Sequence, residues 1–332
     1  MNNYKEIKSI NLGIELLRFL LCLWIVFIHC SIIKSNHKKY LKKEFHVPTF
    51  MLISFYFYSG LLHMRIKEKI IARFQRLLIP YILWPIIIFL INNFLFKIFS
   101  QGICDIFLSI KDFYIQILIG ARFHIILWFQ FNLIFLSLYF TILSFILRNN
   151  LHYILKIFGV LSFYLHISGK IINFFSYYKL NFIKNIGSLF ELMPIAVLGV
   201  ILGSRNLLAL VKSYSFSFYF LILFIIYILF EYDIFIYQKG FRYGNILLNM
   251  IASANLFMLF GSLPINNYGK SGKIIGNITK FTGGIYYLHN IIRRILNKFS
   301  DKKTYFLSIK IYIICYIICF IGNKVFKNTK LK

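Results

Sequence analysis

Charged residues are scarce in this sequence, and acidic residues are the scarcest of them. Only 14% of the 332 residues are charged and 59% are hydrophobic, whereas soluble domains carry about 25% charged residues. The mean hydropathy of +0.73 agrees with that deficit. The composition excludes a soluble globular protein and indicates an integral membrane protein.

Acidic side chains number 10, against 38 Lys and Arg, so the formal net charge is +28. In a soluble chain this excess would suggest a nucleic-acid partner. Here the basic residues are spread over short connections between apolar runs. Contact with the anionic headgroups of membrane lipids explains that distribution, and we predict no nucleic-acid partner.

Cysteine and processing signals are also sparse. None of the cysteines has the CxxC spacing of redox or zinc sites, so we predict small membrane-buried side chains and no metal site. The first apolar run is too long for the core of a cleavable signal and lacks an A-x-A exit, so we expect an uncleaved anchor. The cysteines are Cys22, Cys30, Cys104, Cys315 and Cys319.

Apolar runs of bilayer-spanning length recur along the sequence. They predict an all-α fold, a polytopic bundle of about ten transmembrane helices, as one domain over residues 1–332. An even number of spans places both termini on one side, and Lys and Arg are too evenly divided to select that side. The predicted spans are 12–33, 47–64, 78–99, 124–147, 151–169, 182–203, 214–236, 244–262, 276–296 and 304–323.

The first span carries Glu15, Arg18 and His29, although a lipid-facing helix would avoid them. An ionisable side chain at membrane depth costs at least ~2.5 kcal/mol, so it normally faces a bundle interior or a wet cavity. Arg18 and His29 are about 16 Å apart along a helix and within about 20° of one face. We expect both to point into one cavity. The alternatives are an Arg18 that only pairs with Glu15 and a His29 that is a satisfied interior histidine.

A basic segment at 65–76 separates the second and third predicted spans. Its Arg73 and Arg76 are one helical turn apart, so we expect their guanidinium groups to project in similar directions. Such a pair suits a phosphate, because each planar fork donates two hydrogen bonds and stays charged. The alternative is a juxtamembrane cluster that contacts lipid headgroups. The following helix is expected to break or bend near Pro80.

Four further residues are candidates, each with a plain structural alternative. Glu191, in the sixth span, either orients a histidine or binds acceptor hydroxyls, and its structural alternative is to neutralise a buried cation. His289 either contacts the acceptor or is a hydrogen-bonded histidine near the membrane edge. Trp128 and Tyr286 either line the substrate pocket or are packing aromatics at the membrane interface.

Several motifs in order resemble the acyltransferase 3 family of integral membrane acyltransferases. The specific signals are Arg18 and His29 with ten residues between them, and the Arg73 and Arg76 pair leading into LLIPYILW. Softer matches are FYFYSGLL at 55–62, LWFQFNLIF at 127–135, MPIAVLGVILG at 193–203 and GGIYYLHN at 283–290.

The resemblance implies a ten-helix O-acyltransferase of the cytoplasmic (inner) membrane, with both termini in the cytoplasm. It implies transfer of an acyl group, commonly acetyl, from cytoplasmic acyl-CoA to a hydroxyl of a saccharide. We expect a surface polysaccharide or its lipid-linked precursor as acceptor, and no permanently bound cofactor. In such a protein His29 is catalytic, and Arg18, Arg73 and Arg76 are needed for activity and associated with the donor. Glu15 stands where this family commonly has Asp.

Larger relatives in this family carry an appended soluble domain that resembles a hydrolase. We expect this chain to finish the transfer alone or with a separate protein. A neutral imidazole can take the acceptor's proton and return it to the departing thiolate, so we predict that His29 is a general base. An acyl-histidine intermediate stays open.

A transporter or exporter is the competing function, because polar residues buried among many helices also suit a translocation path. A transporter would be expected to show internal repeats with matched broken helices. We see no convincing repeat between residues 1–165 and 166–332. The sequence leaves open the acceptor, the acyl chain and the oligomeric state.

Overall fold

The computed structural model describes residues 11–30, 45–64, 67–90, 127–147, 181–204, 208, 211, 213–237, 244–265, 270–299 and 305–329. Every regular element within these ranges is an α-helix, which confirms the predicted all-α fold. The helices are α1 (Leu12–Cys30), α2 (His46–Met64), α3 (Lys67–Leu90), α4 (Leu127–Leu147), α5 (Asn181–Ser204), α6 (Tyr214–Tyr237), α7 (Gly244–Gly261), α8 (Lys270–Thr279), α9 (Thr282–Phe299) and α10 (Tyr305–Thr329).

Four helices in the described part of the chain are long and apolar enough to cross a bilayer, which needs about 20 apolar residues. Most predicted spans coincide with a helix to within a few residues at each end. The span predicted at 151–169 lies outside the described residues. The four apolar stretches are Leu12–His29 in α1, Lys67–Ile87 in α3, Trp128–Ile146 in α4 and Leu307–Lys324 in α10.

The third helix begins earlier than predicted, and the part of its predicted span beyond residue 90 lies outside the described residues. It begins at Lys67 rather than near residue 78, so Arg73 and Arg76 lie inside it and not in a connecting segment. Pro80 is also inside this helix and does not break it, so of the predicted break or bend only a bend stays a prediction. A proline costs one backbone hydrogen bond, and long apolar helices in bundles tolerate that loss.

The predicted ninth span is two helices rather than one. The chain turns at Lys280 and Phe281, between α8 and α9. The Thr282 hydroxyl donates a hydrogen bond of 2.6 Å to the carbonyl of Thr279 at the end of α8. That bond satisfies one of the carbonyls that the end of a helix leaves without a partner, so the turn persists although both threonines are buried.

The chain divides into two compact units, residues 1–50 with 208–332, and residues 51–207. In the first unit, α1 packs against α7, α8, α9 and α10, so it lies at the centre of that unit. In the second unit, α4 packs against both α3 and α5. The prediction of a single domain stays a prediction.

The start of α1 is fixed to the end of α7. Asn11 caps α1, because its side-chain oxygen accepts a hydrogen bond of 3.2 Å from the backbone N–H of Ile14. Its amide nitrogen donates a bond of 3.0 Å to the carbonyl of Gly261. Gly13 has no side chain where the carbonyl of Phe260 approaches, and a Cβ there would collide with that oxygen. One polar residue and one glycine thus determine how closely the two helices meet.

An apolar cluster lies in the interior of the first unit. Buried residues of α1, α9 and α10 form one cluster in which cysteines act as small apolar side chains. The Cys22 thiol contacts the carbonyl of Thr282 at 3.5 Å, where α9 begins. The cluster comprises Cys22, Val26, Ile285, Leu307, Ile311 and Cys315. This packing brings one face of α9 against α1.

Candidate active site

The end of α1 meets the middle of α9 through two imidazole rings. His29 is in the last turn of α1, and its ring stacks on that of His289. The ring centroids are 5.3 Å apart and the planes are inclined by 28°. His289 has 0% of its surface exposed, whereas His29 is partly buried. Two of the predicted site residues, from opposite ends of the chain, are therefore in direct contact.

The hydrogen bond of His289 determines which of its nitrogens carries the proton. Its Nδ1 lies 2.7 Å from the carbonyl oxygen of Tyr286, one turn earlier in α9. A carbonyl only accepts, so Nδ1 donates and Nε2 of the neutral ring is left as an acceptor. That Nε2 is buried and has no hydrogen-bond partner among the described residues. Buried polar atoms normally have partners, so this nitrogen is suited to a hydroxyl that arrives with a substrate.

Tyr286 is the third predicted residue in this region. Its ring is 6.1 Å from the His289 ring and 6.3 Å from that of Phe50, both measured between centroids. Tyr287 is 5.7 Å away at a steep angle. Tyr286 therefore belongs to the aromatic surroundings of the histidine pair, as a packing partner and through its backbone carbonyl.

A residue that our sequence reasoning missed holds the backbone of His29. The guanidinium of Arg293 donates a hydrogen bond of 2.6 Å from Nη1 to the carbonyl oxygen of His29. Arg293 follows His289 by four residues, and that spacing places both on one face of α9. The spacing was the available signal, but nothing in the sequence shows that this face meets α1.

Arg18 lies nearer the start of α1 and pairs with Glu15. Its Nη1 is 2.9 Å from one carboxylate oxygen and 3.2 Å from the other. The Arg18 side chain is 40% exposed and that of Glu15 is 19% exposed. An exposed pair of this kind contributes about 0 to 1 kcal/mol, so fold stability alone does not require Arg18. The structure thus shows the pairing that we kept as the alternative, and the catalytic and donor-binding roles stay predictions.

In the second unit, Arg73 points into the protein. Nε donates to the Ser137 hydroxyl at 3.2 Å, Nη2 to the Ser54 hydroxyl at 2.9 Å and Nη1 to the Ser54 carbonyl at 3.4 Å. The guanidinium carbon also lies 4.2 Å from the centroid of the Tyr58 ring. The hydroxyl of Tyr58 bonds in turn to Thr141 of α4. Arg73 therefore connects α3 to α2 and α4.

Arg76 has a different environment from Arg73. It is exposed, and its Nε donates 3.1 Å to the carbonyl of Ala72 in its own helix. The expectation that the two guanidinium groups project together is wrong in this structure. Three residues advance a helix by about 300°, so the two positions are about 60° apart around the helix axis. Arg73 has hydrogen-bond partners on α2 and α4, whereas the hydrogen bond of Arg76 stays within its own helix. Lys67 and Lys69, earlier in the same helix, are also exposed.

The structure describes few contacts for the two remaining predicted residues, Trp128 and Glu191. Trp128 is partly buried in the first turn of α4, and its ring meets the ring of Phe129 at 6.2 Å. Glu191 is within α5, but its side chain lies outside the described residues. The structure brings together His29, Tyr286 and His289 in the first unit, and it places Arg73, Arg76 and Trp128 in the second.

The chain matches one family model over nearly its whole length. That model, described as an acyltransferase domain of the acyltransferase 3 type, matches residues 11–328. The match begins just before α1 and ends near the end of α10, so it includes both units. No curated protein and no solved structure matches this chain.

Proposed function

This chain belongs to the acyltransferase 3 family, and on that premise we propose that it moves an acetyl group from cytoplasmic acetyl-CoA to a saccharide hydroxyl. Because it belongs to this family and contains apolar helices long enough to cross a bilayer, the chain is a membrane acyltransferase. The donor, the acetyl group and the acceptor belong to the proposal. We also propose that the chain is a multi-pass protein of the cytoplasmic membrane with both termini in the cytoplasm. The acceptor proposed is a surface polysaccharide or its lipid-linked precursor.

The observation that carries the proposal is the stacked pair of His29 and His289. Transfer from a thioester to a hydroxyl needs a proton acceptor as the oxygen attacks. Neutral imidazole accepts a proton near neutral pH, and such assistance is worth about 10² to 10⁴ in rate. A second imidazole with an unoccupied, buried Nε2 offers a place for the same hydroxyl to be held.

In the proposed reaction, His29 removes the proton from the acceptor hydroxyl while its oxygen attacks the thioester carbonyl. A carbon–oxygen bond forms, and the carbon–sulfur bond then breaks. The CoA thiolate leaves and takes the proton back from the His29 imidazolium, so the protein ends unchanged. His289 orients the acceptor by accepting a hydrogen bond at Nε2 from a hydroxyl, and Tyr286 forms part of the surroundings.

The donor carries phosphates and needs positive charge outside the hydrocarbon. We propose that the first turns of α3 extend beyond the hydrocarbon and that their exposed cations contact these phosphates, namely Arg76 with Lys67 and Lys69. Arg73 already donates three hydrogen bonds within the protein, so we assign it to holding α3 in place. Arg18 keeps its predicted role near the donor, and Trp128 its predicted role near the acceptor.

The test uses membranes from cells that express the chain, supplied with acetyl-CoA labelled in the acetyl group. We expect label in the envelope glycan in an alkali-labile form, as an ester requires, with release of one CoA for each ester. Membranes that contain His29→Ala at equal abundance are the control and should give at most about one hundredth of the wild-type label, as expected when a general base is removed. Movement of glycan without ester formation would overturn the proposal and favour a transporter.

A further inference from the structure

Arg293 contacts the same residue of α1 as His289 does. The His289 ring stacks on the His29 ring at 5.3 Å, and Arg293 donates 2.6 Å to the His29 carbonyl oxygen. The two contacting residues are one helical turn apart on α9, and they meet a residue more than 250 positions earlier in the chain. His29 is therefore held at its ring and at its backbone by one face of one helix.

The carbonyl that Arg293 contacts is in the last turn of α1, which runs Leu12–Cys30. A cation at a helix C-terminus is favoured by the helix dipole. A hydrogen bond from a charged donor is also roughly twice as strong as a neutral one. The bond from Arg293 is thus a strong tertiary restraint on the last turn of α1.

We propose that Arg293 is a positioning residue for His29. By holding the His29 carbonyl, it sets the end of α1 so that the imidazole stays against His289 while the acceptor hydroxyl is deprotonated. Arg293 touches no reacting atom in this account and acts only through His29. The inference rests on the proposed function, since it assigns a role within the same reaction. A displacement of about 1 Å at a catalytic group can cost 10²-fold in rate, so one such bond matters.

The first experiment compares Arg293→Gln and Arg293→Lys with wild type in purified, detergent-solubilised protein, with labelled acetyl-CoA as donor. Lys273→Gln, an exposed cation on α8, is the matched control for loss of one charge. For Arg293→Gln we expect kcat to fall about 10-fold to 100-fold per folded molecule, with KM for acetyl-CoA within about twofold of wild type. Lys can still donate one charged hydrogen bond, so Arg293→Lys should recover most of the loss.

A double variant separates positioning from general stabilisation. If Arg293 acts through His29, adding Arg293→Gln to His29→Ala should cause no further loss of residual activity beyond about twofold. The inference would be overturned if Arg293→Gln lowered the activity of His29→Ala by the same factor as it lowers the activity of the wild-type protein. An Arg293→Gln kcat equal to that of Lys273→Gln would also overturn it, as would an Arg293→Gln protein that fails to accumulate while Arg293→Lys accumulates normally.

The same set of variants distinguishes the two proposals. If wild-type protein transfers no acetyl group, or if folded His29→Ala transfers it as fast as wild type, the proposed function fails. If His29→Ala is inactive but Arg293→Gln behaves like the control, only the role of Arg293 is wrong.

Discussion

His29 and His289 stack ring on ring, with centroids 5.3 Å apart, although 260 positions separate them in the chain. The contact exists because α1 is at the centre of the first unit and α9 packs along it. Cys22 of α1 and Ile285 of α9 precede the two histidines on these helices and belong to one apolar cluster. That cluster determines the register in which the histidines meet, so core packing and the candidate chemistry depend on each other.

The two nitrogens of His289 have different roles, and two substitutions separate them. Asn can keep a donor near the Nδ1 position, whereas Gln can keep a polar group near Nε2. We expect His289→Asn to raise KM for the glycan acceptor about fivefold to tenfold, because one hydrogen bond to the acceptor is lost. His289→Gln should raise it less. The measurement varies glycan at fixed acetyl-CoA, and a change in KM for acetyl-CoA alone would contradict the assignment.

Arg76 is predicted to hold the donor, since it is exposed and bonded only within its own helix in the described structure. Arg76→Gln should raise KM for acetyl-CoA about 10-fold, with kcat little changed, as expected for loss of uniform binding. The same charge on Lys should restore only part of the affinity, because Lys lacks the planar fork. Titration with acetyl-CoA checks this, with Lys273→Gln as control. An unchanged KM in Arg76→Gln would remove Arg76 from donor binding.

Arg73 is expected to affect stability more than donor affinity. Lys in its place cannot reproduce the bonds to Ser54 and Ser137, and hydrogen bonds to charged groups contribute about 1.5 to 3 kcal/mol each. Arg73→Lys should therefore lower the midpoint of thermal unfolding in detergent, whereas Arg76→Lys should leave it near the wild-type value. An Arg73→Lys protein with wild-type stability and weakened donor binding would instead favour the role that the sequence alone suggested.

The sequence predicted the helices well and their contacts poorly. Apolar runs of spanning length specify helices locally, so α1, α4 and α7 were located to within a few residues. The bond from Arg293 to His29 was not predictable, because it joins helices from opposite ends of the chain. A single sequence does not show which of its distant residues are close together in the folded protein. The direction of Arg73 was missed for a related reason. In the sequence nothing distinguishes two arginines that are one turn apart. In the structure Arg73 bonds to Ser137 on another helix, and Arg76 does not.

The turn between α8 and α9 shows a second limit. Average hydropathy over 276–296 predicts one continuous span, but a threonine hydroxyl can satisfy a freed carbonyl and so allow the chain to turn in the interior. Such side-chain bonds act on one or two residues. An apolar pattern counted over about 20 residues does not register them.

Gly13 is expected to be essential for the packing of α1 on α7. Its replacement by Ala puts a methyl group against the Phe260 carbonyl, and overpacking of this kind costs about 1 to 3 kcal/mol. Gly276→Ala is the matched control, because a Cβ there meets nothing within 4 Å. Ala favours a helix over Gly by about 0.5 to 1 kcal/mol, so this control should be neutral or slightly stabilised. Equal thermal midpoints for the two variants would contradict the packing described for α1.

The most direct test of the account is the role of His29 in the chemical step. Wild type and His29→Ala, purified in equal folded amounts, are compared for CoA release from acetyl-CoA in the presence of envelope glycan. We predict that His29→Ala loses at least about 100-fold in kcat, as expected when a general base is removed, while it still binds acetyl-CoA. A folded His29→Ala protein that releases CoA and forms ester at the wild-type rate would contradict the account.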